Sequence, residues 1–309
     1  MSEKKQYSKL GEALAKGEFV LTGELEPEKT CDLSHTIQEA NEMKDYVIAA
    51  NVTDSPLGIV TINSMAATHI IQHETGLECV WQLTVRDVNK LGIAGMIMGA
   101  QALGIRNILS LTGDHPNLGD MKESKPVFDL DSATLVKLVR EMVDTKAING
   151  HEIECPPTLH VGAAANPNAD PMGAEILKIG RKAEAGAEFI QTQVVYDLDR
   201  TIEFLTEINK YGVPVLLGLF PMKSYGIAKG FDTFVPGVDV PKDVLAKWKK
   251  IKTDITDKSE QKKAYDQANY EFFKPFVTEL KAKNLLAGVH CMAVHYPRIF
   301  PKLVEVIKA

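Results

Sequence analysis

Residues 74–116 read ETGLECVWQLTVRDVNKLGIAGMIMGAQALGIRNILSLTGDHP, one full turn of the plan on which the chain is built. CVWQLT (Cys79 to Thr84) is a short apolar run rich in β-formers. A polar turn follows, then a helical stretch from Gly92 to Leu103, a stop at Gly104 and a second run, NILSLT (Asn107 to Thr112). Glycine after the last helical residue is the usual helix stop, because it enters the left-handed region without a Cβ penalty. The runs are almost continuously apolar, as expected for parallel strands covered on both faces.

The same alternation extends in both directions. Towards the N-terminus lie FVLTGE (Phe19 to Glu24) and YVIAANV (Tyr46 to Val52). Towards the C-terminus lie TLHVGAA (Thr158 to Ala164), FIQTQVV (Phe189 to Val195), VPVLLGLF (Val213 to Phe220) and LAGVHCMA (Leu286 to Ala293). Further helical stretches run Asn63 to Thr75, Ser132 to Ile148, Gly173 to Ala185 and Leu198 to Lys210, and Gly186 and Gly212 repeat the stop. Strict βα alternation implies a parallel sheet, and eight units fit a closed (β/α)8 TIM barrel better than an open sheet. Residues 1–309 are therefore expected to form a single barrel domain, with residues 1–17 as an N-terminal helix or extension. About residues 231–284 form a helical insertion before the last strand.

The 309 residues carry 35 Lys and Arg against 41 Asp and Glu, a net charge of −6 that offers no basic face for nucleic acid. No apolar run approaches the roughly 20 residues of a membrane span, and the N-terminus lacks the apolar core of a secretory signal, which points to the cytoplasm. Cys31, Cys79, Cys155 and Cys291 have no CxxC spacing and are expected to be reduced, mostly buried thiols. His69 and His73 lie one helical turn apart, but Ile70 follows where a zinc-protease motif needs Glu, so no metal site is expected.

In such a barrel the active site lies at the C-terminal strand ends. Glu24 ends the first strand, Asp114 follows the fourth, and Gln193 sits in the sixth. A carboxyl or amide inside an apolar strand costs about 1–3 kcal/mol unless satisfied, so these residues mark a site or a solvated strand end. Two carboxyls at one mouth can divide into proton donor and charge stabiliser. The LTGDHPNLGD loop could cradle a phosphate or could simply turn tightly at Gly113, and Arg181 with Lys182 could meet a phosphate at the rim or lie in solvent.

ETGLECVWQLTVRDVN with LGIRNILSLTGDHP, supported in order by LKIGRKAEAGAEFIQTQVVYD and LGLFPM, resembles the methylenetetrahydrofolate reductase family over about Phe19 to Val306. The resemblance implies a flavin-dependent barrel enzyme of one-carbon metabolism and methionine biosynthesis, reducing 5,10-methylenetetrahydrofolate to 5-methyltetrahydrofolate. It implies Glu24 as proton donor, Asp114 as the flavin-side anion that also meets substrate, and Gln193 and Phe231 as substrate contacts. It places Thr53, Gln82, Thr112, Gly113, Asp114, Ala164, Ala165, Arg181 and Lys182 around the flavin. Gln82 stands where the family commonly has His, Thr112 where it has Arg, Asn166 where it has Tyr, and Val194 and Val195 where it has aromatics. These departures leave FMN open beside FAD, and an iron–sulfur partner subunit open beside NAD(P)H as electron source. An oligomer or hetero-complex is compatible with either donor. The other readings are a non-flavin pterin-binding methyltransferase and a barrel that mainly docks redox partners.

Overall fold

The computed structural model describes residues 6–234, 238 and 240–308. The remaining parts of the expected N-terminal extension and helical insertion lie outside the described residues. Eight parallel strands close into a barrel: β1 (Val20–Leu25), β2 (Ala49–Val52), β3 (Cys79–Thr84), β4 (Asn107–Leu111), β5 (His160–Ala165), β6 (Phe189–Val194), β7 (Val215–Leu219) and β8 (Gly288–Cys291). β1 pairs with β8 through Thr22 opposite His290, and with β2 through Glu24 opposite Asn51, which closes the ring. The expected TIM barrel is the observed fold.

Helices cover the outside of the ring: α2 (Ser34–Met43), α3 (Ser64–Thr75), α4 (Lys90–Ala102), α5 (Ser132–Arg140), α6 (Met172–Glu184) and α7 (Leu198–Ile208). Gly104, Gly186 and Gly212 have φ of 79°, 99° and 69°, the left-handed stops read from the sequence. The helix expected from Ser132 to Ile148 instead ends at Arg140, passes through a wide turn over Glu141–Thr145 and enters a hairpin pairing Ala147–Ile148 with His151–Glu152. Asn149 and Gly150, both at positive φ, make its turn, and Asn-Gly is the characteristic sequence of such turns. Between β7 and β8 lie α8 (Tyr225–Phe234), α9 (Lys242–Asp254) and α10 (Lys258–Ala282), and α11 (Phe300–Lys308) ends the chain. Trp248 of α9 is buried and donates to the Met222 carbonyl at 2.9 Å, fastening this segment to the end of β7.

The barrel interior has a floor and a mouth. Val20, Ala49, Val80, Leu109, Phe189 and Leu216 form one apolar cluster with Leu10 and Ala13 of α1 (Lys9–Ala15). α1 thus plugs the N-terminal end, and burying Leu10 alone is worth roughly 1.5–3 kcal/mol. α1 can lie this close because residue 11 is glycine: a Cβ there would stand 2.5 Å from His160 Nε2. Side chains alternate along a strand, so the residues two and four places further on face the mouth. That sets Thr22 and Glu24, Asn51 and Thr53, Gln191 and Gln193 on inward positions.

Candidate active site

The C-terminal strand ends enclose a cavity of about 530 Å³. Asn51 and Gln191 lie buried beneath it and exchange two amide hydrogen bonds across the barrel, at 2.7 and 3.2 Å. Above this bar stands Glu24, its side chain 11% exposed, lining the cavity. Gln82 Nε2 donates to Glu24 Oε2 at 3.0 Å, and His290 Nε2 lies 3.4 Å from the same oxygen. His290 Nδ1 is in turn 3.0 Å from Thr22 Oγ1. Among the described residues these bonds fall on Oε2, so Oε1 faces the cavity with no hydrogen bond from the protein.

The opposite wall is built by β4, β5, β6 and α6. Leu111, Thr112, Ala164 and Ala165 supply its small and apolar surface. An irregularity in the β6–β7 pairing lies between Gln191 and Val194, where the Gly218 N–H goes to Thr192 Oγ1 at 2.8 Å. Gln193, in this irregular stretch, is exposed on the cavity surface. Thr53 Oγ1 is buried in the lining and has no hydrogen-bond partner among the described residues. Lys178, Arg181 and Lys182 of α6 complete the wall. Lys182 is buried, donates to the Ala164 carbonyl at 2.6 Å, and burial holds its ammonium below the ordinary lysine range. Arg181 is exposed and pairs with Asp131 at 3.2 Å.

Asp114 and Gly113 are not in the cavity lining. Asp114 is exposed and accepts the Leu57 N–H at 2.7 Å, tying the β4 loop to the β2 loop. Gly113 has φ +88°, and a Cβ there would meet Thr84 Cβ at 2.9 Å, so this glycine serves the tight turn. Buried Arg86 pins both loops from beneath, donating to the Ser55 carbonyl at 3.1 Å and the Asp114 carbonyl at 3.4 Å. Phe231 also lies elsewhere: it stacks on Phe220 at 3.8 Å and lines a second, apolar cavity of about 330 Å³ with Glu26, Lys223 and His295. The cavities follow one another along β1 and β8, since Glu24 and Met292 line the first while Glu26 and Val294 line the second.

The structure therefore gathers Glu24, Thr53, Gln82, Thr112, Ala164, Ala165, Arg181, Lys182 and Gln193 around one cavity, and sets Gly113, Asp114 and Phe231 apart from it. Sequence reasoning gave no role to His290, although a histidine within LAGVHCMA is the same kind of polar exception as Glu24. It also passed over Asp54, whose carboxylate accepts from Thr84 N at 3.0 Å and Thr84 Oγ1 at 2.8 Å. Cys79 and Cys291 are buried as expected, but Cys31 and Cys155 are exposed. No helix among the described residues is long and apolar enough to cross a membrane.

The family model described as methylenetetrahydrofolate reductase matches residues 9–307. "Methylenetetrahydrofolate reductase 2" of Schizosaccharomyces pombe is 27% identical over 212 residues, covering 66% of this chain and 32% of that protein. "5,10-methylenetetrahydrofolate reductase" of Pectobacterium carotovorum subsp. carotovorum is 25% identical over 244 residues, 76% of each chain. The chain spans only 32%, 28% and 44% of the lengths of the fission yeast, Caenorhabditis elegans and rice relatives. Among solved structures, an uncharacterized protein from Clostridium thermocellum that binds two copies of 5-methyl-5,6,7,8-tetrahydrofolic acid superposes with a TM-score of 0.65 at 13% identity. It covers 97% of this chain and 98% of its own, a likeness of fold.

Proposed function

Since the chain belongs to the methylenetetrahydrofolate reductase family, we propose that it is a flavin-dependent reductase converting 5,10-methylenetetrahydrofolate to 5-methyltetrahydrofolate. The observation that carries this reading is Glu24, a carboxyl held through one oxygen by Gln82 and His290 while the other faces a cavity of about 530 Å³. That volume falls in the range of roughly 300–1,000 Å³ usual for cofactor and ligand sites. The relatives named as this reductase, and a folate-binding protein of the same fold, support the substrate class.

The residues present fit a flavin. Thr53 offers a buried hydroxyl that lacks a partner, Ala164 and Ala165 leave room for a flat ring, and the α6 cations Lys178, Arg181 and Lys182 suit its phosphate. FAD is the cofactor of choice, with FMN the alternative, since both present a phosphate to α6. Reduced flavin, when bound, supplies the electron pair and hydrogen that turn the methylene bridge into a methyl group.

The chain's own part is to open that bridge. N10 must take a proton as the bond between the bridge carbon and N10 breaks, leaving a cationic iminium at N5. Glu24 delivers this proton through Oε1, with Gln82 and His290 fixing its orientation. Gln193 hydrogen-bonds the pterin and sets its face, and the Asn51–Gln191 bar closes the site from below. The Asp114 carboxylate, outside the cavity, steadies the β2 loop through Leu57 and adds its negative charge from the rim. The Phe231–Phe220 stack meets the aromatic tail of the substrate in the second cavity. Electrons reach the flavin from NAD(P)H or from an iron–sulfur partner subunit in the cytoplasm.

The test is to purify the protein, identify the flavin it releases on denaturation, and follow the anaerobic oxidation of 5-methyltetrahydrofolate with an artificial dye. A released flavin and dye reduction that depends on folate are expected. A colourless protein that takes up neither FAD nor FMN would end the flavin reading. A flavoprotein inert towards the folate would end the reductase reading.

A further inference from the structure

Beside the second cavity, whose lining includes His295, lies a group of imidazoles and carboxylates to which none of the proton and hydride steps of folate reduction is assigned. Glu28 lies in the segment after β1, His35 and Glu39 lie on α2, and His295 follows β8. Glu28, His35 and His295 each direct a ligand atom so that all three atoms lie within 4.8 Å of one another. Donors around a zinc ion sit about 2.0–2.2 Å from it, which sets them roughly 3–4 Å apart, close to the 3.8 Å between His295 Nε2 and Glu28 Oε1.

His295 is prepared in advance for such a role. Its Nδ1 is 2.9 Å from Oε1 of Glu39, a carboxylate buried at 6% exposure. Donation from Nδ1–H to that carboxylate leaves the Nε2 lone pair on the side of Glu28, while His35 Nε2 lies 4.0 Å from the same Glu39 oxygen. A carboxylate behind a histidine is the arrangement that fixes the tautomer and raises the basicity of a metal-bound imidazole. The backbone is fixed too: His295 has φ +51°, unusual for a residue with a Cβ, and Lys223 Nζ donates to the carbonyls of Val294 at 3.1 Å and His295 at 3.3 Å. The rings of His35 and His295 stand 5.4 Å apart, tilted, with both imidazoles turned to the same space.

We propose that Glu28, His35 and His295 bind a divalent transition-metal ion, zinc by its ligand chemistry, with Glu39 as the residue that positions His295. Two imidazoles and one carboxylate are a recurrent zinc set with a fourth position open. The ion ties the first βα unit to the last across the barrel seam. It holds in place the segment after β1 that carries Glu26 at the second cavity, and the segment after β8 whose carbonyls Lys223 binds.

The experiment uses the tag-free full chain, stripped with a chelator and dialysed, then titrated with Zn²⁺ in a calorimeter while thermal unfolding is followed in parallel. One equivalent with a dissociation constant in the micromolar range or tighter, together with a raised melting temperature, is expected. His35→Gln, at a position whose side chain is 56% exposed, should weaken binding at least tenfold, and His295→Gln more. Glu39→Gln should weaken it about 10- to 100-fold, as loss of an orienting partner does. A Cys31→Ser/Cys155→Ser double variant should bind as well as the parent. No stoichiometric binding, an affinity unchanged by His35→Gln and His295→Gln, or loss of binding in the cysteine variant would overturn the assignment. None of these readings depends on reductase turnover.

Discussion

The two ends of the barrel hold the same pair of side chains and use it differently. At the mouth His290 Nε2 is 3.4 Å from Glu24, and at the floor His160 Nδ1 is 3.4 Å from Glu188. At the floor the pair is saturated. Glu188 also receives the Val161 N–H at 3.0 Å and the Arg140 guanidinium at 2.9 Å, while His160 Nε2 accepts the Tyr7 N–H at 2.9 Å and packs under Gly11. At the mouth Glu24 is held through Oε2 and opens onto a cavity. A buried polar group is costly unless its partners are present, so the floor spends its pair on stability, whereas the mouth keeps bonding capacity in reserve for a ligand.

The largest effect that tests this division is expected from Glu24→Gln. The amide still accepts from Gln82 but has no proton to give. Reduction of methylenetetrahydrofolate should fall by about 10²–10⁴, the usual worth of a general acid. Reduction of the flavin by its electron donor should stay near the parent rate. Stopped-flow measurement of the two half-reactions separates these outcomes, and an equal loss in both would place Glu24 in general architecture, like its counterpart at the floor.

Glu188→Ala is the converse. It leaves the buried Arg140 without one carboxylate and His160 without its acceptor. Removing one member of a buried ion pair costs roughly 3–5 kcal/mol. Arg140 keeps its bond to Asp144, which places the loss towards the low end of that range. Denaturant unfolding should show it, with turnover per folded molecule unchanged. A variant of full stability but impaired turnover would break the comparison.

The floor and mouth were unequally legible. The strands stand out because both faces of each are covered, which writes them as long apolar runs, and the helix stops because Gly104, Gly186 and Gly212 need positive φ. Glu24 and Gln193 were visible as polar exceptions inside such runs. His290 was equally visible but became meaningful only when ring closure set β8 beside β1. Asp114 could be placed at a strand end, yet its direction depends on the Gly113 turn and the Leu57 N–H, neither of which leaves a periodic trace. The cluster of Glu28, His35 and His295 spans nearly the whole chain, so no spacing rule could assemble it.

The smallest expected effect concerns the stability that the mouth forgoes. Burial pushes the Glu26 carboxyl up, with repulsion from Glu24 adding to it, and burial likewise pushes Asp54 up despite its bonds from Thr84 and the nearby Arg86. A raised carboxyl holds its proton more tightly in the folded chain than in the unfolded one. Below the ordinary aspartate range both states are protonated, and Asp54 is neutral in its effect. As pH climbs from that range to the raised value of Asp54, the unfolded chain ionises first, so the folded state loses stability; above it the penalty is complete and constant. Asp54→Asn keeps an acceptor for both Thr84 donors and removes the titration. Its unfolding free energy relative to the parent should therefore improve with rising pH across that window and stay level beyond it. A relative stability that is flat, or that worsens over the same interval, would mean that Asp54 supports the fold in the way Glu188 does.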